Sequence, residues 1–394
     1  MWGHLWRTWR IEGEVAVAAG GAAFAVTLLA MALLIRLAPA LGLMDRPTDR
    51  KTHAEPTPAV GGLAIALGCL PVAILVCPSA RPIEALALAA LLLLVAGVWD
   101  DLYQLHWTWR LGAHVAAALI LVMFGGVQVN SIGAAFGIGD FHQLGGLAAP
   151  FTVLAAVGLI NALNMADGVD GLAGAIGLTA LGMLTAAALY AGNGELVAIL
   201  VLLMGGLAAF LTFNLRTPWA RARAFLGNAG SDFLGLCVAW ACFRLTQTPA
   251  HPVSPVLAPF LVAIPVIDCL VLMARRMRSG RSPFSADRNH LHHLLTEAGC
   301  SATAVVGLVA GAGLMIGLAA AIALVNHVPQ PLFIVAFVLM LVGYFALTAK
   351  RTVVVALLAR LTSTGGLLTV LATTVGWAPS SQGNERAERS GLMD

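Results

Sequence analysis

The chain has 394 residues, 59% of them hydrophobic and 10% charged, with a mean hydropathy of +0.89. A water-soluble globular domain carries about a quarter charged residues, so the composition excludes that class and points to an integral membrane protein. The net charge of +3 is too small to argue for a nucleic-acid partner. Six scattered cysteines, none in a CxxC pair, read as ordinary residues of a membrane core rather than metal ligands or a disulfide framework.

A spanning helix takes about 20 apolar residues. Eleven candidate runs follow one another, at about 15–41, 60–78, 83–99, 109–128, 147–163, 172–191, 195–213, 231–248, 255–274, 303–325 and 330–348. The expected fold is an all-α, polytopic membrane helical bundle of about 11 transmembrane helices. Residues 1–14 read as an extracytoplasmic N-terminal tail, 15–348 as one membrane domain and 349–394 as a cytoplasmic C-terminal tail. Arg7 and Arg10 with APA at 38–40 imitate a signal peptide. The first run is far longer than the roughly 7–15 residues of a signal core, so a retained helix is expected. The segment 352–377 is apolar but interrupted by Arg360 and TSTGG, which suits a surface-lying helix better than a twelfth span.

The connections after runs 1, 3, 5, 7 and 9 carry Arg46, Arg50, Lys51, Arg110, Arg216, Arg221, Arg223, Arg275, Arg276, Arg278, Arg281 and Arg288. The opposite connections carry little beyond Arg81, with Arg244 near a helix end. The positive-inside rule makes the first set cytoplasmic and places the N-terminus outside and the C-terminus inside, with Arg7 and Arg10 dissenting. The same alternation puts most of the acids and histidines at the cytoplasmic rim, including Asp45 and Asp287. Helix bundling does not require that; one site assembled from five loops does.

In chain order, DRPTDRKTHAEPTPAVGG (45–62) is a Pro/Gly-punctuated loop with Arg50, Lys51 and His53, readable alone as a solvated linker. VWDDLYQLHWTWR (98–110) pairs Asp100 with Asp101 at a helix end; adjacent carboxylates repel and want a metal or a shared proton. INALNMADGVDGLAG (160–174) repeats Asn161, Asn164, Asp167 and Asp170 at three-residue intervals, so a helix or tighter turn would set them in one polar stripe. Oxygen and amide groups of this kind suit Mg²⁺, ribose or a base edge. FLGNAGSDFLG (225–235) is a polar island between apolar runs. Asp268, in AIPVIDCLV, is an intramembrane acid, the kind that is functional by default unless it pairs locally. RRMRSGRSPFSADRNHLHHLL (275–295) gathers five arginines with His290, His292 and His293. Zinc has no HExxH or nearby cysteine here, and phosphate oxygens suit such a mixture better.

Taken together, these motifs over about 43–300 resemble, in order and spacing, the polyprenyl-phosphate N-acetylhexosamine-1-phosphate transferases of glycosyltransferase family 4. SPFSADRNHLHHLL, with TPAHPVSP at 248–255, leans toward the branch using N-acetylglucosamine rather than the phospho-N-acetylmuramoyl-pentapeptide branch. The resemblance implies a bacterial inner-membrane enzyme. It would transfer a sugar-1-phosphate from a UDP-sugar to undecaprenyl phosphate, release UMP and require Mg²⁺ or Mn²⁺. It further implies Asp100 as base or acceptor-phosphate positioner and Asp101 as metal partner. Asn161, Asn164, Asp167 and Asp170 would serve nucleotide and metal, and Lys51, His53, Arg288, His290, His292 and His293 the phosphates. The family usually has Asp at the place of Asn228, a metal ligand there; Asn228 keeps the shape and loses the charge. Asp232, one turn on, is the candidate to make it up.

Direct attack by the lipid phosphate is the preferred route, with a covalent aspartyl-phosphate left open. The oligomeric state stays between monomer and homodimer. Two other classes compete. A secondary transporter would show internal repeats and polar groups at the bilayer midplane, neither of which the sequence has. A catalytically impaired relative that scaffolds glycan assembly would fit Asn228.

Overall fold

The computed structural model describes residues 2–46, 55–77, 80–137, 143–215, 221–247, 253–285 and 287–363. Lys51 and His53 lie outside the described residues. Long apolar stretches surrounded by lipid must satisfy their own backbone groups, and helices do so within one segment. Each of the eleven apolar runs is helical. The helices are α1 (Trp2–Leu41), α2 (Gly61–Val76), α3 (Arg81–Tyr103), α4 (Trp107–Met123), α5 (Ala148–Ala166), α6 (Leu172–Tyr190), α7 (Gly194–Asn214), α8 (Gly227–Thr246), α9 (Ala258–Leu261), α10 (Ala263–Arg278), α11 (Leu291–Glu297), α12 (Ala302–Val325), α13 (Gln330–Leu347) and α14 (Arg351–Ser363).

Seven of these are long and apolar enough to cross a membrane, or eight if the broken pair at 255–278 is one span. The chain is thus an all-α, multi-pass membrane protein, and the figure of eleven spans is an expectation that length and composition do not reach. The shortfall has physical causes. α2 and α4 are short, α8 carries Asp232 and Arg244, and the run expected at 255–274 bends by 80° between α9 and α10. The backbone of α1 is helical from Trp2. Of the segment expected to be a surface helix, Arg351–Ser363 is helical and the remainder lies outside the described residues.

α8 is the axis of the bundle, enclosed by α2, α3, α5, α6 and α7. Its side chains are buried without a break from Ala229 to Phe243, as expected for a helix with no solvent or lipid face. Small residues at its start let two neighbours come very close. A Cβ on Gly97 of α3 would lie 2.3 Å from the Ala229 Cα, and one on Gly62 of α2 would lie 2.2 Å from the Gly230 Cα. Small residues at helix contacts are the usual way membrane helices gain packing. Here they draw the end of α3 and the start of α2 against the head of α8.

A two-stranded antiparallel ribbon pairs β1 (Met44–Asp45) with β2 (Thr57–Pro58). It is stapled to the same place: Phe225 N–H donates to Pro58 O (2.8 Å), while Gly61 and Gly62 N–H donate to Phe225 and Leu226 carbonyls (both 2.9 Å).

Candidate active site

Asp100 and Asp101 close α3. Consecutive helix residues diverge by about 100°, and the two carboxylates part accordingly. Asp100 is 5% exposed and faces α4, where it accepts from Leu105 N–H (2.7 Å) and pairs with Arg110 Nε (3.3 Å). Asp101 turns to α8. Its Oδ1 accepts from the Asn228 backbone N–H (3.1 Å) and from Asn228 Nδ2 (2.9 Å), and its Oδ2 from Ala229 N–H (3.5 Å). Each of the two carboxylates thus has its own donors from the protein. Gly227, at φ +76, makes the turn into α8, and a Cβ there would fall 2.8 Å from Asp101 Oδ2.

Asn164 joins the two halves. Its Oδ1 accepts from Arg110 Nη2 (2.6 Å), and its Nδ2 donates to Ser231 Oγ (2.8 Å) and Asn228 Oδ1 (3.2 Å). Asp100, Arg110, Asn164, Asn228 and Asp101 thus form one continuous network across α3, α4, α5 and α8. The single polar stripe expected from the three-residue spacing does not form, because α5 ends at Ala166. Asp167 and Asp170 belong to the turn that follows. Asn161 lies a turn below the rim, donating to Val157 O (2.8 Å) and meeting His114 Nδ1 (3.1 Å). His114 in turn pairs with Asp232 (Nε2 to Oδ2, 3.0 Å), both almost fully buried. Asp232 therefore commits Oδ2 to His114, one turn deeper than Asn228. Its Oδ1 is buried with no hydrogen-bond partner among the described residues.

The histidine motif arrives from α10 and α11. His292 is 4% exposed and lies on Gly168, so close that a Cβ on Gly168 would be 2.3 Å from its Nε2. That contact brings α11 against the Asp167–Asp170 turn. Burial first, then the neighbouring His293 and His290, hold His292 down to about 3, so it is a neutral imidazole at ordinary pH. His293 is half-buried and is lowered for the same reasons, with Arg288 and Arg351 adding to them. His290 is placed differently: Nδ1 is 2.7 Å from Asp268 Oδ2, and Nε2 is 3.4 Å from Arg276 Nη2. The 279–290 loop also reaches α4, where Phe284 stacks on Trp107 with ring centroids 4.8 Å apart.

Sequence reasoning missed Arg110, His114, Ser231, Arg276 and Tyr344 as parts of these networks. Arg110 and Arg276 were absorbed into the positive-inside count. The partners of Arg110 lie on other helices and those of Arg276 in the irregular connection after α10, where periodic spacing gives no signal.

Among the described residues no three His, Cys, Asp or Glu side chains form a closed metal cage. The donor chemistry still fits a hard divalent cation. Desolvation, then the nearby Asp101 and Asp170 carboxylates, push Asp167 up to about 7, although its side chain reaches the surface. Carboxylates with amide oxygens beside them suit Mg²⁺, which is often held by one or two carboxylates with water and substrate phosphate completing the shell.

Residues 83–246 match the profile of glycosyl transferase family 4. The chain is 31% identical over 325 residues to an undecaprenyl-phosphate alpha-N-acetylglucosaminyl 1-phosphate transferase of Escherichia coli O157:H7, covering 82% of this chain and 88% of that protein. It is 32% identical over 336 residues to the protein of the same description from Yersinia pestis, covering 83% and 91%. With the one from Haemophilus influenzae it shares 29% identity over 273 residues, covering 69% and 76%.

Proposed function

The chain belongs to glycosyl transferase family 4, and from that premise we propose that it transfers N-acetylglucosamine-1-phosphate from UDP-N-acetylglucosamine to undecaprenyl phosphate. The reading rests on one observation above the rest. Segments far apart in sequence, at the ends of α3 and α5 and the starts of α8 and α11, converge on one rim with acids, amides, an arginine and a neutral histidine. A lipid-borne phosphate needs a site at the membrane face, and two phosphorylated substrates need hydrogen-bond donors and positive charge there.

In the reaction, an oxygen of the lipid phosphate attacks the sugar-bearing phosphorus of the UDP-sugar. The bond from that phosphorus to the oxygen bridging to UMP breaks, and UMP leaves with the electron pair. Arg110, held by Asp100 and Asn164, is oriented to meet a phosphate oxygen and is assigned to the acceptor. Asp100 keeps that guanidinium in place, a positioning role more than that of a base. His292 and His293, with Arg288, Lys51 and His53, are assigned to the donor diphosphate. Asp170 and the turn at Gly168 are assigned to the nucleotide side. Asp101, Asp167 and the Asn228 and Asn164 oxygens are the groups that would hold Mg²⁺ or Mn²⁺, which supplies charge neutralisation between the two phosphates. Asp101 already accepts three N–H donors, which lowers its nucleophilicity and favours direct displacement over an aspartyl-phosphate. The arginine distribution supports a cytoplasmic site in a bacterial inner membrane, where a soluble UDP-sugar is available.

The test is UMP release by purified protein with undecaprenyl phosphate and Mg²⁺, across a panel of UDP-sugars. Turnover is expected with UDP-N-acetylglucosamine. Turnover confined to the muramoyl-pentapeptide donor would move the chain to the other branch. No release from any donor would leave the scaffolding reading.

A further inference from the structure

A chain of hydrogen bonds runs through the base of the histidine motif. Tyr344 Oη, on α13, donates to Asp268 Oδ1 (2.6 Å), which also accepts the Leu291 backbone N–H (3.2 Å). Asp268 Oδ2 meets His290 Nδ1 (2.7 Å), and His290 Nε2 meets Arg276 Nη2 (3.4 Å). Arg276 continues to Asp287 Oδ2 through Nε (2.7 Å) and to Pro283 O through Nη1 (2.7 Å). Asp287 Oδ1 then accepts Asn289 N–H (2.9 Å). Asp268, His290 and Arg276 are 7%, 7% and 4% exposed. Buried charges persist when hydrogen-bonded and paired, and each member here has its partners.

We propose that Asp268 and Tyr344 are positioning residues of the transferase. They fix His290 as a strut that sets the 281–290 loop and α11 against the acidic rim. The inference rests on the transferase reading for its activity readout only. Three features of the geometry carry it. First, the donors to Asp268 all come from outside its own helix: Tyr344 from α13, His290 from the loop and Leu291 from the first turn of α11. The carboxylate therefore ties three elements at one point and satisfies an otherwise orphaned N–H at the start of α11. Second, the arrangement that serves both partners of His290 has Nδ1–H donating to Asp268 and Nε2 accepting from Arg276. Neither ring nitrogen is then left to donate to a phosphate, which separates His290 from its neighbours in the motif. Third, fixing Leu291 fixes the next residue, His292, which sits on Gly168 beside Asp167. Tyr344 is the only part of the strut on α13, a helix whose side chains are otherwise mostly exposed; of them Phe333 alone is fully buried.

The test is a double-mutant cycle with a second readout that needs no substrate. Tyr344→Phe keeps the ring and deletes one hydroxyl, so it keeps the proposal testable even if Asp268→Asn or His290→Ala folds poorly. Tyr344→Phe is expected to lower kcat/KM by about 3–10-fold, the usual net worth of one hydrogen bond. Asp268→Asn and His290→Ala are each expected to lower it by about 100-fold or more. The double variant Asp268→Asn/His290→Ala is expected to be within about 3-fold of the worse single one, because both cut the same strut. In detergent, without substrate, tryptic cleavage at exposed Arg281 and Arg288 should speed up several-fold in Tyr344→Phe and Asp268→Asn. Multiplicative losses in the double variant would show that His290 meets substrate itself and overturn the proposal; so would unchanged cleavage in both variants. An inactive wild-type protein would count against the transferase reading alone, and cleavage would still decide the strut.

Discussion

At the scale of single residues, the site turns on Asn228. Its amide bridges Asp101 and Asn164, donating to one and accepting from the other, which a carboxylate cannot do. Asn228→Asp would set two carboxylates about as close as the present 2.9 Å contact. In a chelator, the variant is expected to lose roughly 1–3 kcal/mol of stability through the lost donor and the new repulsion. Mg²⁺ or Mn²⁺ should restore the melting temperature, and the metal concentration for half-maximal activity should fall below that of the natural protein. A melting curve indifferent to metal in the variant would remove Asn228 from the metal position. Asp232 lies one turn deeper with His114, so any help it gives is through charge. Asp232→Asn should therefore be damaging in the natural background and milder beside Asn228→Asp; simple additivity would end that idea.

His292 supplies a pH prediction at the same scale. Its folded value of about 3 lies below the ordinary 6.5, so the folded state binds fewer protons. The stability it contributes is fully present above pH 6.5 and is lost as pH falls toward 3. At pH 5 that loss is about 2 kcal/mol. Thermal denaturation between pH 7 and 5 should show it, and His292→Asn should flatten the profile. An equal slope in the variant would mean that other groups carry the acid sensitivity.

At the scale of elements, the head of α8 is where packing becomes chemistry. Gly97→Ala adds a methyl that meets the Ala229 backbone and must push α3 from α8. A cost of about 1–3 kcal/mol is usual for overpacking. Because Asp101 rides on the same turn of α3, activity should fall by about 10-fold or more, out of proportion to the stability loss. Full activity in a stable variant would show that the site tolerates the shift. The helices themselves were legible in sequence, since each apolar run declares itself by length. The bend between α9 and α10 was not: AIPVIDCLV reads as a continuation, although Pro265 has no N–H to bond to Leu261 O, and the helix breaks there by 80°. The three-residue spacing of Asn161, Asn164, Asp167 and Asp170 also misled. Periodicity predicts a shared face only while the helix lasts, and α5 stops after Ala166. Asp100 and Asp101 were legible as important residues but not as separate ones, because their partners Arg110 and Asn228 come from other helices.

Across the whole molecule, a rim of polar residues stands at one end of a bundle of membrane helices. The arginine asymmetry was visible from the start, and the described ends of α3, α5 and α10 and starts of α8 and α11 meet in the networks above. A cysteine introduced at Ser285 should resist impermeant thiol reagents in intact cells and react once the membrane is opened. Labelling from outside would place the site away from cytoplasmic UDP-sugars. The central claim, transfer of a sugar-1-phosphate to a lipid phosphate, is tested most directly by following both products at once. Purified protein is supplied with undecaprenyl phosphate, Mg²⁺ and UDP-N-acetylglucosamine labelled in the sugar. Label is expected to enter the lipid phase mole for mole with UMP release, and neither should appear without the lipid phosphate. Release of UMP without labelled lipid, or of UDP in place of UMP, would contradict the account.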